Sequence, residues 1–318
     1  MTRHSIMLLT AVLILAYAGF VQWMWGWPEI LAAWQDVGPG AILAALSLLV
    51  GTYFVRTCRM RDYFPRETAG QFVRLFRVTQ LHNILNIMLP FRAGETSFLI
   101  LMRSEFGVPL AHGTAALLVL RLLDLHALMA AAGFGLVAAA GYSVWALALW
   151  AVFMVMPLCV FPLRGPLMAA ARANRSTRFA ILMAEVDNGI PSDVSAFVRA
   201  WLFTVVNWGI KVMVLAWVLN LLGVVSIPAC FGGALGGELS SVLPVHAPAG
   251  VGTYPAGIVA GATAFGANQQ QDALAVLASA SINAHLLTVV SALAGAAVAL
   301  LSSAIAAKLS GKTHRRQG

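Results

Sequence analysis

Charge is scarce in this chain. Only 10% of its 318 residues are Asp, Glu, Lys or Arg, whereas 60% are hydrophobic. A soluble domain usually carries about a quarter charged residues, so this composition cannot clothe a water-facing globule. Cysteine is scarce too. Cys58, Cys159 and Cys230 are widely spaced, with neither a disulfide framework nor the paired spacing of a zinc site, and read as ordinary apolar residues. Enzyme signatures are missing: there is no His-Glu-x-x-His, no Gly-x-Ser-x-Gly and no P-loop. No soluble stretch could hold a nucleotide. These absences argue against an enzyme, a cofactor and a bound metal.

Long apolar runs are what the chain has. Its mean hydropathy is +0.84, which fits an all-α, polytopic helical membrane protein. The length allows roughly six to nine membrane segments at about 20 residues each. The first run, Ile6 to Met24, is long enough to span and reads as a signal anchor. Further spans are expected over about 39–55, 111–141, 144–162, 194–222 and 272–307, with a short surface segment over 178–192.

The net charge of +8 would suit nucleic acid, but the arginines sit beside apolar spans and read as topology signals. Arg56, Arg59, Arg61, Arg66, Arg74 and Arg77 form the strongest basic cluster; Arg164, Arg172, Arg175 and Arg178 form a second, and Lys308, Lys312, Arg315 and Arg316 a third. All three are expected in the cytoplasm, together with both termini. Attraction to anionic lipid head groups is an additional use for them. The Trp25–Asp36 segment and the exit Gly266–Asp272 have no Lys or Arg and are expected outside, the former as an aromatic interfacial belt.

Two apolar segments are interrupted. In the first, about 72–106, Pro90, Arg92, Gly94 and Glu95 fall within six positions. Proline removes a backbone donor, glycine loosens the backbone, and charges at membrane depth must pair or face water. The second, about 229–267, runs Leu243-Pro244-Val245-His246 and then through Gly250 and Gly252. Both read as broken hairpins, because non-helical backbone survives at such depth only inside protein or along a cavity. Each half thus has a span, a broken hairpin and a long helix with internal polar residues. Opposite basic flanks make this an inverted repeat within one membrane domain, with repeat 1 over about 39–141 and repeat 2 over about 194–307.

Arg92 and Glu95, at a helix break, suit the binding of an anionic phosphate; a structural ion pair is the plainer use of the same residues. Arg121 and Asp124 share a helix face and can pair. Lys211, about midway along a span, suits a second anion contact, or snorkels to the interface. Glu238 either closes an outer cavity or pairs with Lys211. His246 and Tyr254 flank the second turn and can touch a head group. His126 and His285 are candidates for a proton relay, against ordinary packing.

The run Asn86-Ile87-Met88-Leu89-Pro90-Phe91-Arg92-Ala93-Gly94-Glu95, followed by Arg121-Leu122-Leu123-Asp124, resembles the flippase-like transmembrane region of lysylphosphatidylglycerol synthases. Leu243-Pro244-Val245-His246 followed by Ala249-Gly250-Val251-Gly252-Thr253-Tyr254 is similar to the matching part of its second half. That family usually continues with a glutamate, where this chain has Pro255. The resemblance covers roughly 40–307 and adds Asn86, Gly94, Gly250 and Gly252 to the substrate-binding set. It implies an inverted-repeat fold that binds or moves a phospholipid or lipid-linked molecule between leaflets of a bacterial inner membrane. The synthase domain is absent, so aminoacyl transfer is not implied. Two alternatives stay open: a membrane enzyme of lipid-linked sugar or phosphate transfer, using Glu95, Asp124 and Glu238, and a non-catalytic partner subunit of a lipid-synthesis complex.

Overall fold

The computed structural model describes residues 3–89, 94–166, 169, 177–242 and 247–314. Among them every regular element is a helix. In chain order these are α1 (Arg3–Met24), α2 (Trp27–Gln35), α3 (Pro39–Tyr63), α4 (Phe72–Met88), α5 (Gly94–Phe106) and α6 (Leu110–Ala139). There follow α7 (Val144–Val160), α8 (Thr177–Asn188), α9 (Val194–Leu221), α10 (Ile227–Val242), α11 (Thr253–Ala264) and α12 (Gln271–His314). Short 3-10 turns cover Phe161–Leu163 and Pro248–Gly250.

Five helical stretches are long and apolar enough to cross a membrane: Pro39–Tyr63, Leu110–Ala139, Val144–Pro166, Val194–Leu221 and Gln271–Lys308. Ile14–Met24 is a shorter apolar helix. The expected belt after the first span is a short helix: Gly26 breaks the chain at φ 78° and Pro28 opens α2. Both interrupted segments split where expected, into α4 and α5 and into α10 and α11. The Leu-Pro steps themselves, including Pro90 and Pro244, lie outside the described residues.

The chain divides into two compact units. Unit 1 takes Met1–Gly51, Gln80–Ser97 and Ile210–Ser302; unit 2 takes Thr52–Thr79, Phe98–Gly209 and Ser303–Gly318. Each therefore draws on both halves of the sequence.

The core of unit 1 gathers Tyr17 and Val21 of α1, Ile30 of α2, Ile84 and Met88 of α4, Ala249, and Leu286 and Val289 of α12. Beside it, α10 and α11 pack almost backbone to backbone. A Cβ on Gly232 would stand 2.5 Å from Gly261 O, and one on Gly257 would stand 2.6 Å from Gly236 O. Small residues at this spacing let two helices touch without side chains between them.

In unit 2, Phe161 and Phe197 stack at 4.0 Å and pack with Leu123. The Arg164 guanidinium lies over the Phe161 ring and donates to the carbonyls of Pro191 and Ser192, so it ties the end of α7 to the start of α9. By contrast, α7 itself has no buried residue. It is held through Trp150 Nε1, which donates to Ala130 O at 2.8 Å, and through Phe153 against the His126 ring.

Asp193 caps α9, accepting from the Ala196 amide at 2.9 Å and from the Ser192 hydroxyl at 3.0 Å. The Ala196 amide, then Ser192, holds the Asp193 carboxyl below its ordinary range. A carboxyl lowered by folding contributes stability above its unfolded value, and that contribution is lost as pH falls through the folded value. Asp193→Ala should therefore fray the first turn of α9 at neutral pH, whereas the parent frays only in acid. Amide exchange at Ala196 reads this directly; equal protection in both proteins at neutral pH would show that the cap is idle.

Candidate functional site

Unit 2 buries a charge cluster built from single-turn pairs on three helices. Arg56 and Arg59 lie three apart on α3, Arg121 and Asp124 three apart on α6, and Thr204 and Trp208 four apart on α9. Such spacings put both members of a pair on one helix face. Asp124, with 0% exposure, accepts from three donors. Arg59 Nη1 reaches Oδ1 at 2.6 Å, Trp208 Nε1 reaches Oδ1 at 2.8 Å, and Arg121 Nη1 reaches Oδ2 at 3.2 Å. Arg59 also donates to Thr204 Oγ1 at 2.9 Å, whose own hydroxyl donates to Ala200 O. Arg56 lies within the fields of Arg59, Arg121 and Asp124. Further along α9, Arg199 holds Asp62 at 3.0 Å.

The charges decide what this cluster can do. Arg199 pairs with Asp62, and the described contacts bring three guanidiniums to Asp124. Unit charges 4 Å apart interact by about 4 kcal/mol at an effective dielectric of 20. Charges so placed interact strongly, and guanidinium is the group best matched to phosphate oxygens. The Arg121–Asp124 pair is as expected. The sequence groups Arg59 with a cytoplasmic topology signal; the structure adds that it is 1% exposed and bonded to Asp124.

Unit 1 holds the second cluster. Lys211 Nζ on α9 donates to Glu238 Oε2 on α10 at 2.9 Å. Tyr254 Oη on α11 donates to Glu238 Oε1 at 3.1 Å, and Ser241 Oγ lies 3.4 Å from Oε2. The Tyr254 ring stacks on His285 of α12 at 5.0 Å. Tyr17 of α1 meets His285 edge-on, its Oη 3.4 Å from Nδ1. Lys211, Glu238 and Tyr254 therefore come together, with His285 and Tyr17 behind them. Tyr17 carried no signal in the sequence, since an aromatic in a first span is ordinary.

At the first break, the start of α5 lies on α4. A Cβ on Gly94 would overlap Asn86 Cα and stand 2.5 Å from Leu85 O. The ring nitrogen Nδ1 of buried His82 lies 3.2 Å from Gly94 O and 3.3 Å from Ser97 Oγ. Glu95 sits in the first turn of α5, where the helix N-terminus favours a carboxylate. Gly250 and Gly252 adopt φ of 70° and 76°, so the turn before α11 by itself accounts for glycine there. Pro255 falls in the first turn of α11, where a missing amide donor costs little. His126 packs between α6 and α7, its Nε2 3.3 Å from Met154 O. Arg92 and His246 lie outside the described residues. Among the described residues, no group of three or more His, Cys, Asp or Glu side chains is gathered for a metal.

Apolar spans enclosing buried, hydrogen-bonded charges define a multi-pass helical membrane protein. The family described as the lysylphosphatidylglycerol synthase TM region matches residues 7–295. The chain belongs to that family, and its place is among membrane proteins of lipid handling. No curated protein and no solved structure matches it.

Proposed function

We propose that the protein is a carrier that moves an anionic, phosphate-bearing lipid across a bacterial plasma membrane, with both termini in the cytoplasm. The observation that carries this reading is the gathering of Arg56, Arg59 and Arg121 about Asp124 inside helices apolar enough to cross a membrane. A charge in a membrane-spanning helix costs about 2.5–3.5 kcal/mol on insertion scales. A protein gains by keeping such a cluster at that depth if the cluster meets a charged ligand. Lys211 is the second cationic station, in the other unit, and Arg92 a third contact. The acyl chains stay in the bilayer. Matched order of the interrupted helices supports an inverted repeat of about 39–141 and 194–307. Both carboxylates of the enzyme alternative that are fully buried, Asp124 and Glu238, are held by cations, which favours the carrier.

Mass spectrometry of lipids retained by the protein in native-membrane particles tests the reading, parent against Arg121→Ala and Arg92→Ala. One anionic lipid class should be enriched in the parent. Removing a charged hydrogen bond worth about 1.5–3 kcal/mol should lower that enrichment at least about tenfold. Equal profiles, all matching the bulk membrane, would overturn the carrier.

A further inference from the structure

The two members of the Lys211–Glu238 pair differ in access. The Lys211 side chain keeps 15% of its surface exposed, and that of Glu238 keeps 1%. An arriving anion therefore meets the lysine and not the acid. Glu238 faces Lys211 from α9 and the Tyr254 hydroxyl from α11, with Ser241 on its own helix. Among the described residues, the titratable groups that ring and hydrogen-bond geometry adds are His285 of α12, under the Tyr254 ring, and Tyr17 of α1, beside His285. Among the described residues, Lys211 is the cation paired with Glu238. If Lys211 turns to another anion, a carboxylate closed to water is left with the neutral donors of Tyr254 and Ser241. Such a site does not keep an uncompensated charge; it neutralises it.

We propose that Lys211 and Glu238 form an exchange pair that links each anionic head group to one proton. The head group takes Lys211, and Glu238 binds a proton supplied by solvent. The balance closes: ammonium plus carboxylate becomes ammonium, lipid anion and neutral acid, and the net charge of the site stays at zero. When the head group leaves, Lys211 returns and the proton is released. His285 and Tyr17 are positioning residues that hold the Tyr254 ring and thus its donor hydroxyl. The inference rests on the reading of the protein as a carrier of an anionic lipid, and linkage makes it reciprocal: acid strengthens anion binding as much as the anion strengthens proton binding.

Purified protein in weakly buffered detergent, mixed with short-chain phosphatidylglycerol and a pH-indicator dye, should take up about one proton per bound lipid. Glu238→Gln should bind the lipid and take up none. Lipid binding without proton uptake by the parent overturns the exchange pair and leaves the carrier intact. A second arm needs no lipid. Lys211→Met at neutral pH should show the infrared band of a protonated carboxyl, absent from the parent and from the Lys211→Met/Glu238→Gln double variant. The double variant, which lacks both charges, is the folding control. Folded Lys211→Met without that band overturns the proposal. The band in Lys211→Met, together with a parent that binds no anionic lipid, keeps the proton site and removes the carrier.

Discussion

Asp124→Asn should destabilise the protein by about 3–5 kcal/mol, and by at least about 1 kcal/mol more than Arg59→Met does. In a balanced ion pair, loss of either partner strands one charge, and the two costs are similar. Here the partners are unequal. Without its carboxylate, Asp124 leaves Arg56, Arg59 and Arg121 repelling one another in an apolar surround. Without Arg59, Asp124 keeps Arg121 and the Trp208 donor, and one of the mutually repelling guanidiniums is gone. A methionine fills much of the guanidinium stem's space, so the comparison is chiefly electrostatic. Unfolding midpoints in detergent measure both variants and the Arg59→Met/Asp124→Leu double variant, which should recover part of the Asp124 loss. Equal costs for the two single variants would mean that the cluster is balanced by an acid that the geometry does not show, and the case for an anion there would fall with it.

Gly94→Ala should cost about 3 kcal/mol, at the upper end of the overpacking range. The reason is what the new methyl group would meet. Its neighbours are the Asn86 backbone and Leu85 O, main-chain atoms of α4 that cannot rotate aside as a side chain would. Either α4 and α5 part, or the chain between them shifts. Gly51→Ala in α3 is the contrast: nothing lies within 4 Å of its added Cβ, so helix propensity alone should stabilise it by about 0.5–1 kcal/mol. Unfolding midpoints of the two variants on either side of the parent would confirm that the first break is a tight crossing. A parent-like midpoint for Gly94→Ala would place the arms further apart than described.

The helices were legible in the sequence because membrane spans advertise themselves. Apolar runs bounded by arginine, proline and glycine placed most of the elements from α3 to α12 within a few residues. The two interruptions were legible for the same reason, since Leu89-Pro90 and Leu243-Pro244 break otherwise continuous runs. The Arg121–Asp124 pair followed from helical spacing, and the Lys211–Glu238 pair was one of several uses open to those residues. What stayed hidden was the company that Arg59 keeps. An arginine near the end of a span looks the same in sequence whether it points to lipid head groups or into protein. Only the partners from distant helices, Asp124, Thr204 and Trp208, separate the two. The division into two units was hidden too, because Gln80–Ser97 joins residues more than a hundred positions away through tertiary contacts that no local pattern encodes.

Because α7 has no buried residue, a surrounding bilayer would give it acyl chains for most of its neighbours. A core position selects for shape, since a neighbour of fixed form must fit it. A lipid-facing position selects only for oil solubility, since a fluid neighbour fits any outline. Substitutions along most of α7 should therefore be tolerated wherever they keep its hydropathy. Trp150 and Phe153, which touch α6, are where shape enters.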